Sequence, residues 1–167
     1  MSPVDADGAW RLTDRDPAVR VAYVADLPEG LEDPGPDHPN VRALLAAFDD
    51  PDDDVRDWAV FGLGVQLDVD TPEIREALYR MLGDTGEADA AGEAAVALAK
   101  RGDPRILDVL LTKLTDPEVG NLYVEAAAEL GDPRLLPVLE ALRDGGWQDD
   151  DEPRPGILEE AIDECGG

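Results

Sequence analysis

The sequence predicts an all-α protein, a right-handed α-solenoid of about four helix pairs with a C-terminal capping helix. Apolar residues recur at helical spacing along most of the chain, and no segment alternates apolar and polar residues as a half-buried strand does. The turn Gly-Asp-Pro occurs at residues 102–104 and returns 29 residues later at residues 131–133. A turn that returns in this way indicates stacked repeats, in which each unit buries its apolar face against its neighbours.

The composition is that of a globular but strongly acidic chain. Of the 167 residues 43% are hydrophobic, and 40 acidic residues oppose 14 basic ones, for a net charge of −26. This charge repels phosphate backbones and anionic lipids, so we expect neither a nucleic-acid partner nor a membrane partner. Three explanations of the charge remain open: solubility, adaptation to a salty cytoplasm, and an acidic surface that engages a basic protein.

The N-terminal residues and the single cysteine favour a cytoplasmic protein, and we expect it to be a monomer. The first seven residues are acidic and lack the basic-then-apolar layout of a signal peptide. The chain has one cysteine, Cys165, which cannot form an internal disulfide. We expect one domain over residues 1–167, with a loose tail at residues 1–13.

Each expected helix follows a turn that is rich in Asp, Gly or Pro. Asp14 or Asp16 can cap the first helix, and Pro17 suits its first turn. A Pro-rich loop at residues 28–39 separates it from the second helix, and an acidic linker at residues 145–156 leads to the capping helix at residues 157–165. The apolar stripes predict the other helices at residues 39–48, 55–67, 73–82, 88–100, 105–114, 117–130 and 134–143.

The recurring residues resemble those of the HEAT-repeat family. One unit contains Val55-Arg56-Asp57-Trp58-Ala59-Val60-Phe61-Gly62-Leu63-Gly64, and a later one contains Ala126-Ala127-Ala128-Glu129-Leu130-Gly131-Asp132-Pro133. They are similar to the short HEAT-like units first associated with phycobilin lyases, and to small bacterial HEAT proteins. The resemblance covers residues 40–145.

The resemblance also implies a ladder of Asp and Arg side chains between repeats. Asp16 with Arg20, and Asp54 with Arg56, match the family pattern. Ala91 and Gly120 stand at the Arg position in the later repeats, so we expect the ladder to be incomplete.

Residues suited to catalysis or metal binding are scarce. The chain has one serine, Ser2, one histidine, His38, and one cysteine, Cys165. These residues predict neither a Ser-His-Asp triad nor a structural zinc site. The acidic turn at residues 49–54 lacks the central Gly and distal Glu of an EF-hand. We therefore expect no catalytic activity, no cofactor and no bound metal.

The candidate binding residues lie on the second helices of the pairs. In a solenoid of this family these helices line the concave side, where partners commonly bind. The basic residues expected on those helices are Arg42, Arg75, Arg80, Arg105, Lys113, Arg134 and Arg143, with Glu73, Glu76 and Asp108 between them. The candidate partner-binding residues among these are Glu73, Glu76, Arg80, Arg105, Asp108, Lys113 and Arg134.

A second candidate surface is aromatic. Trp58 and Phe61 are three residues apart on one helix face, at positions that the repeat normally leaves polar. We expect the N-terminal segment, for instance Trp10, to cover them. The alternative is an exposed apolar patch of the kind that marks interaction sites.

These observations predict a non-catalytic protein-interaction module that binds a partner on its concave helix face. One alternative is an acidic inhibitor or immunity-type protein that neutralises a basic partner by mimicking nucleic acid. The other is a bilin lyase-like enzyme, which only the family resemblance suggests.

Overall fold

A computed structural model describes residues 9–86, 88–148 and 156–167 of the chain. Within these ranges the chain is all-α and contains no strand, which confirms the predicted fold class. The α-helices are α1 (Pro17–Asp26), α2 (Pro39–Ala47), α3 (Asp53–Val60), α4 (Pro72–Met81), α5 (Ala90–Lys100), α6 (Ile106–Lys113), α7 (Asn121–Leu130), α8 (Leu136–Asp144) and α9 (Ile157–Gly166). Short 3-10 helices lie at Ala9–Thr13 and Pro133–Leu135, and a π-helical segment at Phe61–Gln66.

Turn residues start the helices as the sequence predicts. The carboxylate of Asp16 accepts a hydrogen bond from the Ala18 N–H and so caps α1. Asp52 caps α3 and Thr71 caps α4 in the same manner. His38 caps α2, because its Nδ1 accepts from the Asn40 N–H at 3.2 Å. The one histidine of the sequence therefore has a structural role.

Three helix boundaries differ from the sequence prediction. The helix expected at residues 55–67 is α-helical only to Val60 and continues as the π-helical segment Phe61–Gln66. The helix expected from residue 117 begins at Asn121, because the backbone of Gly120 is extended. The residues before Gly120 form a turn in which the Val119 N–H donates a hydrogen bond to the Asp116 carbonyl. A 3-10 turn precedes α8.

The described residues form two compact units, one up to Ala94 and one from Ala95 onward. The first unit contains α1 to α4 and the start of α5, and large side chains such as Leu44, Leu63 and Leu78 are fully buried in it. The 3-10 helix Ala9–Thr13 packs on α1, with the Arg11 guanidinium 5.9 Å from the centre of the Tyr23 ring. Residues 1–8 of the expected tail lie outside the described residues.

In the second unit, α9 packs against α7 and α8, as expected of a C-terminal capping helix. It buries Ile157, Leu158, Ala161, Ile162 and Cys165. Trp147, at the start of the expected linker, donates from its indole nitrogen to the Val119 carbonyl at 2.9 Å. Residues 149–155 of that linker lie outside the described residues.

The Arg ladder is present in the first unit, but its acidic partners differ from those in the sequence pattern. Arg20 binds both carboxylate oxygens of Asp50 at 2.9 Å, and not Asp16, which caps its own helix. Arg56 likewise binds Asp84 at 2.6 and 3.2 Å, and not Asp54. Each guanidinium therefore reaches the aspartate that precedes the next repeat. This geometry ties α1 to the turn before α3, and α3 to the turn before α5.

Candidate protein-interaction surfaces

A groove lies between α2 and α4 in the first unit. It has a volume of about 380 Å³ and is lined by Arg42, Leu45, Ala46, Asp49, Glu73, Glu76, Ala77 and Arg80. The floor is aliphatic and the rim is charged. This arrangement suits an apolar side chain of a partner that is flanked by polar groups.

Two ion pairs cross this groove in opposite directions. Arg42 on α2 binds both carboxylate oxygens of Glu73 on α4, at 2.8 and 3.1 Å. This hydrogen bonding lowers the pKa of Glu73 and raises the pKa of Arg42. At the other end, Arg80 on α4 lies 3.6 Å from Asp49, and both side chains are well exposed. The first pair is a bidentate clamp, whereas the second is long enough to exchange partners at low cost.

Three of the sequence-predicted binding residues meet at this groove. Glu73, Glu76 and Arg80 lie on the same face of α4, where helical spacing of three and four residues brings them together. Arg42, which the sequence already places on a second helix, completes the groove together with Leu45 and Asp49, and these three were not among the candidate binding residues. The sequence does not single them out, because the position of a residue on one helix does not predict which residues of a second helix lie opposite it.

The predicted residues of the second unit have local partners. Arg105 folds back onto Asp103 at 2.9 Å, and Arg134 onto Asp132 at 2.6 Å. Hydrogen bonds from the Arg134 side chain and backbone lower the pKa of Asp132 to about 2. The two Gly-Asp-Pro-Arg turns therefore form the same cap, in which the arginine braces the capping aspartate.

The other two predicted residues of the second unit lie on α6. Asp108 is exposed near the start of the helix. Lys113, in the last turn, places its ammonium 5.2 Å from the centre of the Tyr123 ring on α7. Neither residue lies in the groove between α2 and α4, whose lining belongs to the first unit.

The aromatic pair formed by Trp58 on α3 and Phe61, the first residue of the π-helical segment, is partly open to solvent. Trp58 is 41% exposed and Phe61 is half-buried, with ring centres 6.0 Å apart in an edge-to-face arrangement. This exposure favours the alternative of an exposed apolar patch over cover by the N-terminal segment, of which residues 1–8 lie outside the described part of the chain. Trp10, the residue expected to cover it, lies in the 3-10 helix that packs on α1.

A partly buried carboxylate, Asp57, lies on α3 next to Trp58. Its Oδ1 is buried without a hydrogen-bond partner among the described residues. Burial, followed by repulsion from Asp89, Asp54, Asp53 and Asp84, raises the pKa of Asp57 to about 6. Sequence alone does not single out Asp57, because nothing in this Asp-rich stretch distinguishes it from its solvated neighbours.

The second unit carries a smaller, acidic cleft between α7 and α9. Its volume is about 250 Å³, and it is lined by Glu125, Ala128, Glu129, Ile157, Glu160 and Glu164. Two glutamates on each helix face this space. Within the described part of the chain, no group of three or more acidic, His or Cys side chains is arranged to hold a metal ion.

Of the other residues considered for chemistry, Ser2 lies outside the described residues and Cys165 has a structural position. Cys165 is buried on α9 and donates to the Ala127 carbonyl at 3.5 Å. Burial, with repulsion from Asp132 and Glu164, raises the pKa of its thiol, which makes it a poor nucleophile.

None of the described helices is long and apolar enough to cross a membrane.

Helix pairs, repeated Asp turns and an Arg ladder between successive pairs define a helical-repeat protein of the α-solenoid class. Residues 41–122 match the family model described as HEAT repeats, so this stretch of the chain consists of HEAT repeats. Over 106 residues, or 64% of this chain, it is 37% identical to Protein YibA of Escherichia coli, which two strains share. The chain spans 37% of the length of these curated relatives.

A solved structure supports the same family. The X-ray structure of the Escherichia coli YibA protein matches this chain with a TM-score of 0.63 at 28% sequence identity. The match covers 95% of this chain and 66% of that one. The name YibA carries no statement of activity, so the likeness supports the fold and the family.

Proposed function

We propose that this protein is a non-catalytic protein-interaction module whose partner binds the exposed face of the second helices. The observation that carries the proposal is the groove between α2 and α4, with its aliphatic floor and its charged rim. HEAT repeats generally mediate protein interactions, which agrees with this assignment.

The groove would anchor one part of a larger contact. A volume of about 380 Å³ accommodates a few side chains, whereas a stable protein interface buries about 1,200–2,000 Å² in total. The ion pair between Arg80 and Asp49 is open enough to be replaced by partner charges. The partner segment therefore carries an aliphatic residue for the floor, with an acidic group beside Arg80.

Affinity capture with a blocked groove tests this proposal. Ala46 is exposed on α2 within the groove, and Ala46→Tyr fills the groove without removing an ion pair. Ala22→Tyr places the same side chain at an exposed position of α1, away from the groove. A partner from the native organism should bind the wild type and Ala22→Tyr but not Ala46→Tyr. Equal capture by both variants would show that the groove is not the binding site.

The second candidate function, neutralisation of a basic partner, is favoured by the net charge of −26 and by the four glutamates of the acidic cleft. Salt separates the two candidates, because a purely electrostatic complex dissociates as ionic strength rises. Capture that survives high salt supports the groove, and loss of every partner at moderate salt supports charge mimicry.

The bilin lyase-like alternative has a direct test. We expect the purified protein to form no coloured adduct or complex when a bilin is added, as checked by visible absorbance after gel filtration.

A cytoplasmic location and a monomeric state are also parts of the proposal that this protein is an interaction module. Cell fractionation and light scattering of the purified protein test them.

A further inference from the structure

The outer surface of α3 carries an exposed aromatic group that the groove does not use. Among the described residues, Trp58 and Tyr79 are the large hydrophobic residues with substantial exposure. Phe61 meets the Trp58 ring edge-to-face with an interplanar angle of 83° and so supports it from one side. The indole is therefore held on the surface and still 41% open to solvent.

The charge beside this indole is negative. Asp54 lies one turn before Trp58 on the same side of α3 and is exposed. Arg56, the one cation of α3, is held by Asp84 at 2.6 Å and by the Asp50 carbonyl at 2.8 Å. The surface around Trp58 thus presents an aromatic ring and a carboxylate, while the cation of its own helix is held elsewhere.

The backbone is irregular at the same place. The π-helical segment begins at Phe61, whose N–H donates to the carbonyls of both Asp57 and Trp58. A π-helical segment is less stable than an α-helix and is frequently found at functional positions. Here it begins immediately after the turn that carries Trp58.

We propose that this face of α3 binds an arginine side chain of a basic partner segment. The guanidinium lies against the Trp58 indole, and the Asp54 carboxylate accepts its hydrogen bonds. Both contacts suit arginine better than lysine, because the planar guanidinium stacks on a ring and binds a carboxylate in a bidentate manner. The net charge of −26 attracts such a segment from a distance.

This surface is independent of the groove between α2 and α4, because none of its residues lines that groove. A partner can therefore engage either surface without the other. Failure of the groove experiment leaves this proposal intact, and failure of this one leaves the groove intact.

The experiment uses the full-length protein and a short fluorescein-labelled Gly-Ser peptide that carries a pair of arginines. Fluorescence anisotropy at low ionic strength gives the affinity. Trp58→Ala and Asp54→Asn should each weaken binding by about threefold or more. Tyr79→Ala and Asp163→Asn remove the same kinds of group at other exposed positions and should change the affinity by less than that.

Two further peptides separate the possible ligands. Replacing arginine by lysine should weaken binding, and replacing it by leucine should abolish it. Equal binding of the leucine peptide would make the surface a site for apolar ligands and overturn the proposal. An equal loss of affinity in Asp163→Asn and Asp54→Asn would show diffuse charge attraction, which also overturns it.

Self-association is the remaining alternative for this surface. Sedimentation of the wild type and of Trp58→Ala should show the same monomeric species. A dimer that Trp58→Ala dissociates would make the surface an interface between copies of this chain, and the proposal would fail. Circular dichroism checks that each variant is folded. If Trp58→Ala does not fold, the peptide affinity of Asp54→Asn alone tests the proposal.

Discussion

At the scale of single residues, Asp57 couples the stability of the first unit to pH. Its pKa is raised from 3.8 to about 6 by burial and by the surrounding aspartates. Between about pH 4 and pH 6 the folded state therefore holds a proton that the unfolded state has released. The free energy of unfolding accordingly falls as the pH rises through this window, and the contribution is fully lost above the folded pKa.

Asp57→Asn should remove this pH dependence. We expect the variant to be more stable than the wild type at pH 7 by about 1 kcal/mol, a value kept small by the partial exposure of the side chain. The two proteins should approach equal stability near pH 4. Urea unfolding at a series of pH values measures the difference, and a difference that does not vary with pH would contradict the assignment.

The arginine ladder gives a second prediction at this scale. Arg56 makes two hydrogen bonds to the Asp84 carboxylate and one to the Asp50 carbonyl, and its side chain is mostly buried. Arg56→Ala removes charge-assisted bonds and leaves Asp84 without that partner, so we expect a loss of about 2 kcal/mol. Chemical denaturation measures it. Arg143→Ala, which removes an exposed pair with Asp144, serves as control and should leave the stability nearly unchanged.

At the scale of helices, the sequence predicted the elements well, because caps and apolar stripes are local signals. Asp16, Asp52 and Thr71 start helices where the pattern placed them. The partners in the ladder were predicted wrongly, since Asp50 and Arg20 are 30 residues apart and no local rule connects them. The π-helical segment was likewise missed. The glycines at 62 and 64 indicated close packing, but both an α-helix and a π-helix allow such packing, so the glycines did not predict the π-helical segment.

The π-helical segment Phe61–Gln66 requires a small residue at position 62, because neighbouring side chains pack closely against Gly62. A methyl group on its Cα would lie 2.9 Å from Pro28 Cγ and 3.1 Å from Leu44 Cδ2. We expect Gly62→Ala to destabilise the protein by about 1–3 kcal/mol, because the Pro-rich loop and α2 must move to admit it. Thermal unfolding is the measurement.

The control for this prediction lies in the same Pro-rich loop. A Cβ at Gly35 meets no atom within 4 Å, and its φ is not in the left-handed region. Gly35→Ala should therefore leave the stability unchanged or raise it slightly. A loss in Gly35→Ala as large as that in Gly62→Ala would contradict the packing explanation.

At the scale of the whole molecule, the repeat family and the fold class followed from the sequence, whereas the groove between α2 and α4 did not. The repeat of Gly-Asp-Pro and the Asp turns define stacked helix pairs whatever the surface residues are. The groove depends on Arg42 and Asp49 meeting Glu73 and Arg80 across two helices. These pairs form only when the two helices pack together, and the sequence alone does not predict which residues then meet.

The net charge of −26 should make the stability of this protein rise with salt. Repulsion among the excess carboxylates acts over the whole folded chain, and mobile ions screen it. The same ions weaken the ion pairs, but the exposed pairs contribute little and the ladder arginines are shielded by burial. We therefore expect the melting temperature to be higher in about 0.5 M NaCl than at low ionic strength.

Calorimetry with several salts distinguishes screening from specific effects. Sodium chloride and potassium chloride at equal ionic strength should raise the melting temperature equally if screening is responsible. A rise that continues into molar concentrations indicates instead that exclusion of salt from the protein surface dominates. A melting temperature that falls with salt would mean that the ion pairs outweigh the repulsion. The acidic excess would then have to be balanced locally, along the ladder and the Asp-Arg caps.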